Sequence, residues 1–218
     1  MREFKEKGHA LVLRGSLNPP IFQPWWFEAK GLIGKNEAEK ADIKVVHEGV
    51  TDFSLEWVSL QVLPDRLTAA TSDESSEEAV RDLIQGAFKL LGHTPLHALG
   101  INRTAHFTVD SEAEWDNIGH KLVPKEELWD KLLSHPGMRA VLVEGKREDD
   151  RPGHILVRVE PSRRHRFGIF VDINDHYVIG KGEDDPGDGA AVSALLESVW
   201  RESMDRSKRL MESLRKDL

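Results

Sequence analysis

The side chains in this chain with the chemistry to act on a substrate are imidazoles and carboxylates. His106, Asp110, Asp116 and His120 fall within one fifteen-residue stretch. Such groups brought together could ligate Zn²⁺ or Mn²⁺ or pass a proton. The spacing contains no HExxH or HxxxH, however. His120 also falls near a predicted helix end, where an imidazole meets the negative pole of the helix dipole. No metal site is assigned. The second group is Asp172-Ile173-Asn174-Asp175-His176. On a regular strand Asp172, Asn174 and His176 share one face, and Asp175 shares the other with Ile173 and Tyr177. Asp and Asn are poor strand formers, so the cluster marks a strand end, a bulge or a working edge. If the chain is an enzyme, its acid–base candidates are His106 and an Asp172/His176 pair, and hydrolysis is the reaction they would serve.

Other residues suit contact better than catalysis. Alternation through His97–Val109 puts Ile101, Arg103, Ala105 and Phe107 on one strand face. Gly100, Asn102, Thr104, His106 and Thr108 fall on the other, which is largely polar. Asn102 and Arg103 interrupt an otherwise strand-like run. Arg163 and Arg164 sit in a basic turn, Ser162–Arg166, that could meet a phosphate or an acidic partner. Trp25 and Trp26 are adjacent and cannot both enter one core from a helix, so one is expected at the surface. Tryptophan is favoured at protein contacts. Met204 and Met211 lie on the distal half of the final helix, mixed with basic residues.

Composition removes several function classes. The 218 residues carry 30 basic and 38 acidic side chains, a net charge of −8. A negative chain repels a phosphate backbone, which argues against nucleic acid as the partner. There is no cysteine, and hence no disulfide, thiolate metal site, iron–sulfur cluster or cysteine nucleophile. No GxGxxG, GxxxxGK[ST], GxSxG or HExxH motif appears, so no cofactor is expected. The segment Gly180–Gly189 is glycine-rich, but its acidic residues would repel phosphate. The charged N-terminus has no apolar core like that of a signal peptide, and no run approaches a membrane span. The expected location is the cytoplasm.

The elements that must position these residues are mostly hairpins. Strands are expected over 10–17, 43–47, 53–63, 67–71 and 97–109. A helix is expected from Pro24, another from the Ser75/Ser76 region to Gly92, and a charged turn over 35–40. Ser111 with Glu114 makes a capping box, and Pro124–Leu133 reads as a short helix. Three strands then follow (138–147, 153–161 and 165–178), separated by turn chemistry, before a proline-free helix from Ala190. This is an α+β chain with a mostly antiparallel sheet, built from two meander-plus-helix halves with a long C-terminal helix. If there are two lobes, they divide as 1–110 and 111–218. With no linker composition between them, one continuous domain is the alternative.

The last helix matters for assembly. About 28 residues at 1.5 Å per residue span roughly 40 Å, longer than a small domain is wide. Its distal half is therefore expected either to cross its own sheet or to overhang and pair with a second copy.

Gly100-Ile101-Asn102 on a strand, with Val171-Asp172-Ile173-Asn174 before a loop and a long final helix, resembles an uncharacterised, sporadically distributed bacterial protein family. The resemblance implies a bacterial α+β protein with no established activity, and it transfers no catalytic residue. The order helix, helix, meander, long helix also resembles a shortened helix-grip domain, which would place a small-ligand pocket between sheet and final helix. The reading these features favour is a non-enzymatic cytosolic binding or assembly protein whose partner is another protein or a second copy. A hydrolase and a small-ligand module are the alternatives.

Overall fold

A computed structural model describes residues 3–126 and 128–218. The described residues form nine strands and six α-helices. The strands are β1 (Phe4–Gly15), β2 (Asp42–His47), β3 (Val50–Ser54), β4 (Ser59–Leu63), β5 (Arg66–Thr71), β6 (Leu96–Thr108), β7 (Val141–Lys146), β8 (Gly153–Pro161) and β9 (Gly168–Val178). The helices are α1 (Pro24–Ala29), α2 (Lys35–Glu39), α3 (Glu77–Leu90), α4 (Glu112–Leu122), α5 (Trp129–Leu132) and α6 (Gly189–Asp217).

All nine strands join one antiparallel sheet in the order β2-β3-β4-β5-β1-β6-β9-β8-β7. Each half has the same plan. A long strand (β1 or β6) leads away. A meander returns to pair with it (β2 to β5, or β7 to β9), and a helix follows (α3 or α6). The two long strands pair with each other at the centre, Leu11 opposite Ile101. The sheet crosses Ser111 without a break, because β6 on one side pairs with β9 on the other along its whole length.

α1 to α4 and α6 pack on one face. Alternation along β1 buries Leu11 and Leu13, and along β6 it buries Leu99, Ile101, Ala105 and Phe107. The first core cluster holds Leu11, Leu13, Leu99 and Ile101 with Phe22, Phe27, Phe53, Phe88 and the first turns of α6. The second lies under the distal half of α6 and α4, around Phe107, Ile118, Val171 and Met211. α6 starts cleanly because the Asp188 carboxylate accepts the Ala191 N–H at 2.8 Å. Arg215 and Lys216 in its last turn complement the dipole.

Three local expectations differ from the structure, and the two alternatives for α6 are decided. The 53–63 stretch is two strands, because the chain folds back at 55–58, where the Leu55 N–H donates to the Val58 carbonyl at 2.8 Å. Both turn residues are buried, so the apolar pattern runs on through the turn and hides it. The 35–40 segment is helical. The Glu37 carboxylate accepts the Gly34 N–H at 2.7 Å, and Ala38 anchors the turn in the core. Helix in the 124–133 region is confined to α5, and Glu127 lies outside the described residues. Of the two courses expected for α6, it takes the first and packs on its own sheet rather than overhanging it. It runs along β6, from Leu96 beside its start, past Arg103 bound to Ser207, to Phe4 under Arg215 and opposite Phe107. The thirteen residues of β6 at about 3.3 Å each span roughly 43 Å, matching the roughly 43 Å of a 29-residue helix. Met204 and Met211 are both buried against the sheet. No described helix is long and apolar enough to cross a membrane.

Candidate functional site

The face of the sheet opposite the helices is open and carries most of the polar candidates. Across the strands, Glu6 stands opposite His106 and His106 opposite Phe170. Asn102 stands opposite Asn174, and Asp172 lies between Thr104 and Arg158. His176 pairs with His154, and the two rings stack with centroids 4.5 Å apart. Gly100 makes room for the amides. A Cβ there would sit 3.0 Å from Asn174 Oδ1 and 3.3 Å from Asn102 Oδ1. Both of those oxygens, and Asp172 Oδ1, are shielded from water and have no hydrogen-bond partner among the described residues. Burial pushes the Asp172 carboxyl above its ordinary range, with Arg158 opposing. Burial and then His154 push His176 down.

Asp172 and His176 do not meet. They lie four residues apart on one straight strand, a separation of about 13 Å at 3.3 Å per residue. Asp175 points to the opposite face, as alternation requires. His106 has a different neighbour: its Nδ1 is 2.9 Å from Ser162 Oγ. That hydroxyl also accepts the backbone N–H groups of Arg164 at 3.1 Å and His165 at 3.2 Å. Burial lowers the affinity of His106 for a proton, while Glu6 acts the other way. Glu6 binds Arg164, and His165 Nε2 at 2.7 Å, and the Arg164 hydrogen bond holds its carboxyl low. A groove of 580 Å³ opens beside this cluster, lined by Gly8, Trp57, Ala70, Thr104, His106 and Phe170.

His106 and His120 do not share a centre. His120 ends α4, with Glu126 3.8 Å away. Among the described residues, no three His, Cys, Asp or Glu side chains are grouped to hold a metal ion.

Arg103 faces the helices and is buried. It donates to Glu77 Oε1 at 2.7 Å and to Ser207 Oγ at 3.3 Å, pinning both α3 and α6 to β6. His9 lies opposite it on β1. It is also buried, edge-on to Trp200 with centroids 5.1 Å apart, and neither of its ring nitrogens has a partner among the described residues. Burial, helped by the nearby Arg103 charge, pushes its imidazole down to about 3. A cleft of 290 Å³ reaches Arg103 between the sheet and α6. Phe4, Lys7, Lys208 and Glu212 stand at its walls.

Beyond β7, the loop turns inward. Arg147 binds Asp175 and, at 2.5 Å, Asp149 Oδ2. Arg206 of α6 binds the same two carboxylates at 2.6 and 3.1 Å. The Tyr177 hydroxyl donates to Asp175 Oδ2 at 3.2 Å, and Arg147 lies over its ring. Burial alone would lower Arg147, but its hydrogen bonds to Asp149 and Asp175 hold it above its ordinary value. The Arg147 hydrogen bond takes Asp149 down to about 2.

The contact candidates separate. Trp25 is exposed, whereas Trp26 is half-buried and edge-on to Phe27. Arg163 is exposed on the β8–β9 turn, and Arg164 is taken up by Glu6. Met204 and Met211 face inward, so neither offers a docking surface.

The large exposed apolar surface is elsewhere. Leu142 (59 %) and Val143 (58 %) stand bare on edge strand β7, and Leu132 (64 %), Leu128, Leu133 and Trp129 stand bare on and around α5. Trp129 and Leu133 line a shallow groove with Met138, Arg139 and Ala140, the residues that lead into β7. Sequence reasoning missed this surface. Val141-Leu142-Val143 reads as any buried strand, and nothing local marks it as the sheet edge. A signal was present in α5: apolar residues at 128, 129, 132 and 133 are too many for a single short turn to bury.

Comparison with protein families finds no family model that matches this chain, and comparison with curated proteins finds none with significant similarity.

Proposed function

We propose that the chain is a non-enzymatic cytosolic binding or assembly protein, and that it makes its contacts through the apolar end formed by β7 and α5. One observation carries this reading. Six large apolar side chains gather on the edge strand and the short helix leading into it, in a chain that is otherwise strongly charged. Leu142 and Val143 project from opposite faces of the edge strand, and Trp129 and Leu133 line the groove beside the residues that lead into it. Large apolar side chains left bare in this number near one sheet edge support a contact site. The segment 128–133 carries one Asp and one Lys, and β7 carries one Glu and one Lys. The patch is therefore neutral on an acidic molecule, and a partner of either sign can approach it.

The test is the apparent size of a tagged chain in extract of its own cells, beside the double variant Leu132→Lys/Leu142→Lys. The reading expects the tagged chain to run above 24.7 kDa and the variant to run as a monomer with unchanged melting temperature. Equal elution of both contradicts it, as does a variant that melts early, because the residues would then be core.

The contact between Ser162 and His106 favours a hydrolase as the second reading. Against it, both acceptor positions of the hydroxyl are filled by backbone N–H groups, which suits a turn cap rather than a nucleophile. Labelling of Ser162 by a fluorophosphonate probe would reverse this preference.

A further inference from the structure

We infer that the occupant of the β7 edge is a second copy of this chain, paired antiparallel strand to strand about a two-fold axis through Val143. The inference rests on the contact reading above and names its partner.

The two edges of the sheet differ. β2 is blunted by a register shift between Ile43 and Val45, a device that turns an edge away from pairing. β7 has no such shift. It pairs with β8 in unbroken register from Val141 to Lys146 and leaves its other side bare. A flat, apolar, unpaired edge is a template for another strand.

The identity of that strand follows from symmetry and charge. Residues opposite one another in a sheet share a face, so a two-fold axis normal to the sheet must pass through a residue, not between two. Only two such axes keep five of the six β7 residues paired within the observed strand. The axis through Glu144 sets two carboxylates directly against each other, which is destabilising. The axis through Val143 sets Val143 against Val143, Leu142 against Glu144 and Val141 against Gly145. No like charges stand opposite one another. Each copy carries a net −8, and the five paired residues Val141–Gly145 carry a single charge, Glu144, which faces the partner copy's Leu142, so no negative charge is set directly against another. The product is a continuous sheet of eighteen strands, with α5 of each copy beside the junction.

The absence of cysteine makes the test clean, since every thiol is an introduced one. Opposite residues in an antiparallel pair have Cα atoms roughly 4.5–5.5 Å apart, within the span of a disulfide. Val143→Cys is expected to cross-link with itself on mild oxidation, at least an order of magnitude faster than Leu142→Cys. A mixture of Leu142→Cys and Glu144→Cys chains is expected to cross-link where neither does alone. Light scattering on the unsubstituted chain should give twice the monomer mass. A dimer in which Val143→Cys cross-links no faster than Leu142→Cys overturns the edge pairing and leaves the contact reading intact. A strict monomer at micromolar concentration overturns the second copy as occupant and leaves the surface to a different protein. If Val143→Cys melts early, the mixed pair decides instead.

Discussion

Arg147 and Asp175 form a buried ion pair that ties the end of edge strand β7 to β9 across the whole width of β8. Arg206 approaches the same carboxylate from α6. One acidic side chain thus fixes an otherwise free edge both to the sheet and to the longest helix. The network fixes the end of β7 where the strand turns into its loop.

Removing that carboxylate leaves two guanidinium groups buried without their main partner. Asp175→Asn is expected to cost about 3–5 kcal/mol of stability, the range for breaking a buried pair from one side. Urea unfolding of the two proteins measures it. A loss below about 1 kcal/mol, the range of exposed pairs, would contradict the placement.

His9 sets an acid limit. Its folded-state imidazole titrates at about 3 against an ordinary 6.5, so the unfolded chain takes up a proton before the folded chain does. Stability contributed by the neutral ring is whole above pH 6.5 and is lost as pH falls toward 3. Between pH 7.5 and 5 the expected loss from His9 is about 2 kcal/mol. His106 and His176, also lowered, add in the same direction. His9→Leu is expected to flatten this part of the profile, read from urea midpoints at each pH. An unchanged slope would mean that the ring is protonated in the fold.

Ser203 gives a prediction of opposite sign. Its hydroxyl is fully buried on α6, with no hydrogen-bond partner among the described residues. Ser203→Ala removes an unsatisfied group and improves helix propensity, so stability should rise by about 1 kcal/mol. A lower melting temperature would show that the hydroxyl has a partner in solution.

Much of this architecture is legible in the residues. Alternation correctly divides β6 and β9 into an apolar and a polar face, and it sends Asp175 away from Asp172 and Asn174. Turn chemistry places the second meander, and the proline-free stretch from Ala190 with its apolar stripe places α6, while the Asp188 cap emerges only from the structure. Strand order is not legible. Without it, the long strands that α6 lies along are unknown, the helix looks too long for a small domain, and Met204 and Met211 look available. The bare edge at Leu142 and Val143 depends on which strand comes last, which is a property of the assembled sheet. The sequence does show Asp172 and His176 on one face, but only the straightness of β9 shows them too far apart to act together.

The most direct measurement is amide hydrogen exchange along β7 and β2 as protein concentration rises. The outward amides of an unpaired edge exchange freely, and pairing protects them. The account predicts that protection over Val141–Gly145 grows with concentration while β2 stays unchanged, and that Leu132→Lys/Leu142→Lys abolishes the change. Free exchange of β7 at every concentration, or protection that grows at β2 instead, would contradict it.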